Sequence, residues 1–169
     1  SGGGGNLVVN RPLLLTNNVL LNVDGGDITL GKDVTMGDYT LTFSGAGSLK
    51  LGGDVTSNDK SLAINRDLTL TRNTSISIGA GDLTLGNVTM DNYELNFNPG
   101  GLLKLGGDIT SNNTALNINR EINLVGHSSI DTGTADIEVS LPIAMEGKNL
   151  TINGDGTLKL GANITSSGG

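Results

Sequence analysis

Leu49-Lys50-Leu51-Gly52-Gly53-Asp54-Val55-Thr56 is the stretch whose recurrence decides the fold. Its first six residues return as Leu103-Lys104-Leu105-Gly106-Gly107-Asp108 and again as Leu158-Lys159-Leu160-Gly161-Ala162-Asn163, at shifts of 54 and 55 residues. The pair Asn10-Arg11 returns as Asn65-Arg66 and Asn119-Arg120, at shifts of 55 and 54. Two separate series sharing one period mark an internal repeat, and a repeat governs how every local pattern is read. It divides the chain approximately into 10–64, 65–118 and 119–169, with 1–9 as the end of a preceding winding.

A shorter period lies inside the long one. Ile28 to Phe43 aligns with Leu49 to Ile64 without a gap at an offset of 21, both reading apolar-x-Leu-Gly-x-Asp-Val-Thr, a polar turn, then Leu-x-apolar. Units of this kind begin at residues 13, 28, 49, 68, 83, 103, 122, 137 and 158, three to each long repeat. Segments such as Leu62-Ala63-Ile64, Ile76-Ser77-Ile78 and Leu95-Asn96-Phe97 alternate apolar and other residues, and Gly, Asn and Asp separate them. Period-2 alternation with such punctuation is the pattern of short strands joined by turns.

Units of 15 to 21 residues with two or three very short strands suit one winding of a parallel β-helix better than hairpins. The expected fold is all-β: a right-handed parallel β-helix of about nine windings of 15–21 residues, three per 54–55-residue repeat. At about 4.8 Å per layer it would be a rod about 43 Å long. One inward ladder is expected through Leu49/Leu51, Leu68/Leu70, Leu83/Leu85, Leu103/Leu105, Ile122/Leu124, Ile137/Val139 and Leu158/Leu160. A second would run through Val34, Val55, Val88, Ile109, Ile143 and Ile164, and a third through Phe43, Ile64, Phe97, Ile118 and Ile152. Gly31, Gly52, Gly86, Gly106 and Gly161 share one place in their units, where a corner would need left-handed or strained backbone. Both ends look cut, because Leu7-Val8-Val9 matches the last strand of a winding and no polar cap is visible. Open ends are strand edges that recruit other chains, so end-to-end self-association is expected.

Composition narrows the function classes. The 169 residues include 27 Gly and 20 Asn but only two Phe, two Tyr and no Trp, and the net charge is −7. Such a surface repels phosphate backbones and offers almost nothing for bases to stack on, which argues against nucleic-acid binding. No Cys is present, which removes disulfides, thiolate metal sites and cysteine nucleophiles and is compatible with export. The longest apolar runs, such as Leu13 to Leu15, are too short to span a membrane or form a signal core, so any export signal would lie outside this sequence.

Three chemistries have to be weighed against plain turns. Asp27, Asp54 and Asp108 follow Gly-Gly, and Asp33 and Asp82 occupy comparable turns. Calcium needs about six to eight oxygens at one point, and the nine-residue Gly-Asp period of calcium-binding rolls is missing, so these read as solvated turn aspartates. Glycoside cleavage needs a unique pair of carboxyls, whereas the acidic residues here mostly recur at turn positions of every repeat. His127, in Gly126-His127-Ser128-Ser129, reads as a surface turn residue without an evident partner. Arg11, Arg66 and Arg120 recur beside Asn and read as corner hydrogen-bond or charge-pairing residues. An outward column through Thr35, Thr56, Thr89, Thr110, Ala144 and Thr165 would suit an ice-binding face. The companion column, Leu14, Thr29, Lys50, Thr69, Thr84, Lys104, Asn123, Glu138 and Lys159, spoils that face with charge, and makes Glu138 and Lys159 axial neighbours. No catalytic, metal or cofactor site is assigned.

Ser48 to Thr56 and the run Asn149-Leu150-Thr151-Ile152-Asn153-Gly154-Asp155-Gly156-Thr157-Leu158 resemble the degenerate units of filamentous-haemagglutinin-like exoproteins, secreted by two-partner systems or as autotransporter passengers. The resemblance runs from about residue 7 onward, although the long 54–55-residue repeat departs from that family's single-winding repeat. It implies a right-handed β-helix exported across an outer membrane and serving as the shaft of an adhesin or surface fibre. The expectation is therefore a secreted or cell-surface structural rod. Its expected partners are neighbouring repeats, further copies, and a host receptor or polysaccharide, with no membrane insertion. The alternatives are a carbohydrate-active β-helix enzyme and an ice- or carbohydrate-binding solenoid.

Overall fold

A computed structural model describes residues 4–166. The portions of segment 1–9 and of repeat 119–169 beyond those bounds lie outside the described residues. Twenty-four short strands follow one another without a helix among the described residues. The first four windings hold β1 (Leu7–Val9), β2 (Leu13–Leu14), β3 (Val19–Asn22), β4 (Ile28–Leu30), β5 (Val34–Gly37), β6 (Leu41–Ser44), β7 (Ser48–Leu51), β8 (Val55–Ser57), β9 (Leu62–Ile64), β10 (Asp67–Leu70), β11 (Thr74–Ser77) and β12 (Leu83–Leu85). The next four hold β13 (Val88–Thr89), β14 (Leu95–Phe97), β15 (Leu103–Leu105), β16 (Ile109–Thr110), β17 (Leu116–Ile118), β18 (Ile122–Leu124), β19 (Ser128–Asp131), β20 (Ile137–Val139), β21 (Ile143–Ala144), β22 (Leu150–Asn153), β23 (Leu158–Leu160) and β24 (Ile164–Thr165).

Every third strand joins the same sheet. Sheet 1 runs β1-β4-β7-β10-β13-β16-β19-β22, sheet 2 runs β2 to β23 and sheet 3 runs β3 to β24, eight strands each. All pairings are parallel, with register such as Ile28↔Leu49↔Leu68 in sheet 1 and Leu83↔Leu103↔Ile122 in sheet 3. The parallel β-helix is therefore the fold, a solenoid of eight three-sided windings of about 21 residues. First and last layers stand about 34 Å apart.

The expected nine windings of 15–21 residues are corrected to these eight. The spacings of 19 to 21 residues are whole windings, as from Ile28 to Leu49 within sheet 1. Spacings of 15 are two sides of a three-sided winding: Leu13 lies on sheet 2 and Ile28 on sheet 1, Leu68 on sheet 1 and Leu83 on sheet 3. The long repeat is eight strands, which is two and two-thirds windings. Leu49-Lys50-Leu51 thus falls on sheet 1, Leu103-Lys104-Leu105 on sheet 3 and Leu158-Lys159-Leu160 on sheet 2. Alternation in sequence reports which residues face inward; it does not report which side of the tube they face.

The interior residues were read correctly and their columns were not. From Ile28 to Ile143, the named ladder residues are almost completely buried. Each ladder nevertheless changes sheet from repeat to repeat: Val34 and Val55 on sheet 2, Val88 and Ile109 on sheet 1, Ile143 and Ile164 on sheet 3. At the last described winding Leu158 and Leu160 are 42% and 45% exposed, because no described layer lies beyond them. A single winding has no closed core, so burial comes from stacking.

The corner glycines need a second correction. Gly31, Gly52, Gly86, Gly106 and Gly161 stand at corners but lack a left-handed backbone, which occurs at other glycines and at Asp59, Asp91, Asn113 and Glu146. Space is the constraint for the cornering pair Gly52-Gly53: a Cβ on Gly53 would lie 2.3 Å from the Lys32 carbonyl carbon of the winding below.

Candidate functional site

The corners carry the polar groups, and a simple rule governs them. An Asn or Asp in one winding turns its side-chain oxygen to a backbone N–H of the next. Asp33 Oδ1 accepts from Asp54 N at 3.0 Å, Asp54 Oδ1 from Ser75 N at 2.8 Å, Asn87 Oδ1 from Asp108 N at 3.0 Å and Asp108 Oδ1 from Ser129 N at 2.7 Å. Strand backbones stop pairing at corners, so these bonds satisfy N–H groups that would otherwise lack a partner. His127, which showed no partner in the sequence, belongs to the same series: its Nδ1 accepts from Asn149 N at 3.0 Å. Among the described residues no three His, Asp or Glu side chains gather closely enough to hold a metal ion.

Asp27 and Asp82 occupy equivalent corner positions in successive repeats and add an ion pair to the same bond. Asp27 Oδ1 accepts from Ser48 N at 3.0 Å, and its Oδ2 pairs with Lys50 Nζ at 2.9 Å; Asp82 takes Leu102 N at 3.1 Å and Lys104 Nζ at 2.8 Å. The Ser48 backbone bond, with help from Lys50 and the Ser48 hydroxyl, lowers the Asp27 pKa from 3.8 to about 2. The Lys104 bond lowers Asp82 in the same way, with burial opposing.

Two arginines do what the sequence only half announced. They were expected at corners making hydrogen bonds, and they do so from the interior: Arg66 is 5% exposed and Arg120 fully buried. Arg66, in the corner from sheet 3 to sheet 1, donates to the carbonyls of Ser44 at 3.2 Å, Ala46 at 2.6 Å and Gly47 at 3.1 Å one winding below, and to Gly26 two windings below. Arg120, in the corner from sheet 2 to sheet 3, donates to Asn98 at 3.0 Å and Gly101 at 3.2 Å one winding below, and to Gly81 at 2.9 Å and Gly79 at 3.3 Å two below. Each guanidinium therefore ties three layers together. Burial lowers the Arg120 pKa, and Asp82 opposes that shift; the group keeps its charge. Glycine makes the approach possible, since a Cβ on Gly47 would lie 2.9 Å from Arg66 Nη2. Gly-x-Gly or Gly-Gly about 20 residues before each arginine was the legible signal of this socket.

Arg11, the third member of the series, is exposed in the first winding. The arginines reach toward lower-numbered windings, and none of the described windings lies below Arg11.

The outer faces hold one broad recess on sheet 1, about 370 Å³, bordered by Asp67, Thr69, Asn87, Thr89, Asp108 and Thr110. Thr69, Thr89 and Thr110 are register neighbours there. Asn87 Nδ2 donates to Asp67 Oδ1 at 3.0 Å, so the carboxylates flanking the recess are members of the corner ladder. The expected six-residue threonine column is not one column: Thr35 and Thr56 lie on sheet 2, Thr89 and Thr110 on sheet 1, Ala144 and Thr165 on sheet 3. Glu138 and Lys159 are neighbours across β20 and β23, as expected.

No known protein family, curated protein or solved structure matches the chain.

Proposed function

We propose that the chain is a structural rod, a segment of a secreted or cell-surface adhesin or fibre that holds other parts at a distance. The observation that carries this reading is the pair of buried arginines, each bonded to carbonyls of two further windings. Backbone ladders already join neighbouring layers. A charged group that spans three layers adds resistance to bending and to layer-by-layer opening, which a shaft under load requires. The filamentous-haemagglutinin-like resemblance supports surface display, and the acidic surface suits a soluble exported chain.

The polar surface supports this role over catalysis. Asp67 and Asp108, the carboxylates of the sheet 1 recess, each accept a bond from the winding above. That is the arrangement of a ladder, not of an acid and a base placed about a scissile bond. Immunogold labelling of intact cells that make the protein, read by electron microscopy, tests the reading. Label along extracellular filaments or at a fixed distance from the cell surface is expected. Label found only inside lysed cells would refute it.

A further inference from the structure

The arginine series has two members inside the solenoid and one outside it, and the far end of the rod holds the matching space. Between β22 and β23 and the corner beneath them lies a cavity of about 80 Å³ bordered by Ala135, Ile152, Asn153, Gly154, Gly156 and Leu158. By the repeat, Asn153 corresponds to Ser44 and Asn98, Gly156 to Gly47 and Gly101, and Ala135 to Gly26 and Gly81. Those six residues supply carbonyls to Arg66 and Arg120. The Ala135 carbonyl accepts from the Thr132 hydroxyl at 2.8 Å, which leaves one lone pair, and no described residue donates to the Gly156 carbonyl. By repeat position the cavity is equivalent to the two arginine sockets, with the Gly156 carbonyl in the place of those of Gly47 and Gly101.

We infer that the occupant is Arg11 of a second copy of this chain, so that the rods stack head to tail. Three features fit that occupant. Arg11 lies in the corner from sheet 1 to sheet 2, the same corner as the cavity. Three repeats of eight strands make eight whole windings, so a second copy docks with each sheet continuing itself and with no rotation. Asp136, the repeat equivalent of the Asp82 that stands close to Arg120, flanks the socket and accepts from Thr157 N at 2.8 Å. The apolar ends meet as well: Leu158, Leu160 and Ile164 are exposed at one end, and Leu7, Leu13 and Val19 are only partly covered at the other. The register follows from Thr42↔Ala63 and Asn96↔Asn117, which places Thr151 beside Val8 of the incoming copy.

This inference deepens the rod reading and rests on it, and the test separates the two. The chain has no cysteine, so a Val8→Cys, Thr151→Cys variant introduces the only thiols. Mild oxidation of that variant is expected to give a ladder of disulfide-linked oligomers on a denaturing gel. A Val8→Cys, Lys159→Cys variant, whose positions lie on different sheets, is expected to give at least tenfold less. Adding Arg11→Met to the first variant is expected to weaken oligomer formation at least tenfold while the monomer keeps its β spectrum and its rod dimensions in small-angle scattering. No ladder from the first pair, or a ladder undiminished by Arg11→Met, would overturn the inference. Scattering from a compact sphere would instead overturn the rod.

Discussion

Replacing Arg120 with Met keeps most of the aliphatic stem and removes the guanidinium, leaving the carbonyls of Asn98, Gly101, Gly79 and Gly81 without their donor. Gly79 retains the N–H of Gly101 at 3.2 Å, so three acceptors lose their partner outright. A buried acceptor left unmet costs about 1–3 kcal/mol, and water entering the corner recovers part of it. The expected loss is therefore about 3–5 kcal/mol, the range seen when one partner of a buried charged interaction is removed. Against a typical total of about 5–15 kcal/mol that is a severe change. Urea denaturation followed by far-UV circular dichroism measures it. Hydrogen exchange over residues 79–101 gives the local readout, because a solenoid can open layer by layer. Arg11→Met is the internal control: at a protein concentration too low for self-association, an exposed arginine should contribute no more than about 0.5 kcal/mol. If Arg120→Met costs under about 1 kcal/mol, or Arg11→Met costs as much, the three-layer staple is not what stabilises these corners.

Other positions give sharp comparisons of the same kind. Leu105→Ala, inside the tube, should cost about 2–5 kcal/mol, whereas Leu160→Ala at the equivalent place in the uncovered last winding should cost under about 1 kcal/mol in the same urea series. His127→Ala should lose about 0.5–1.5 kcal/mol by leaving the Asn149 N–H without its acceptor, and His127→Asn should restore most of that, since Asn accepts such bonds at other corners. The depressed Asp27 pKa, about 2 against 3.8, adds stability that is fully present above about pH 4 and is lost as pH falls through 2. An acid titration of Asp27→Asn should accordingly be flatter than wild type between those limits, and parallel curves would contradict the assignment.

Interior and exterior were legible from sequence because alternation is a local property: Leu83-Thr84-Leu85 must turn both leucines to one face, whatever the strand pairs with. Which winding a strand belongs to is not local. Leu68 and Leu83 share a sequence frame, so a reading by frame places one above the other. The structure puts them on different sides of the tube, with Leu83 stacked on Leu62 instead. The missing information was the number of sides, which depends on how many strands close a core of this width, and no single unit encodes it. Arg66 and Arg120 were half legible for a related reason. Their recurrence showed a corner task, but arginine is rarely buried, and only the carbonyls of two other windings make burial tolerable here. His127 escaped for want of a visible acceptor role, because its partner, the Asn149 N–H, is a backbone group one winding later and leaves no trace in residue type.

The mismatch between an eight-strand repeat and a three-strand winding has a functional consequence. Had the repeat been a whole number of windings, each recurring residue would have formed a column on one side, and the rod would present a uniform stripe able to bind a periodic ligand. Because the repeat advances by two and two-thirds windings, the equivalent threonines, lysines and carboxylates of successive repeats are dealt to different faces, and the longest threonine run on sheet 1, Thr69, Thr89 and Thr110, is bounded by Lys50 and Asp131. The same advance distributes the arginine staples around the axis: Arg66 at the corner from sheet 3 to sheet 1, Arg120 at that from sheet 2 to sheet 3, and the socket inferred for Arg11 at that from sheet 1 to sheet 2. A staple at a single corner would stiffen the tube against bending in one direction only, whereas three corners used in turn stiffen it in all. A repeat length that spoils a binding stripe while spreading its cross-ties evenly is the one a shaft would use, and changing it by one strand, to nine, would align the staples and leave two corners unsupported.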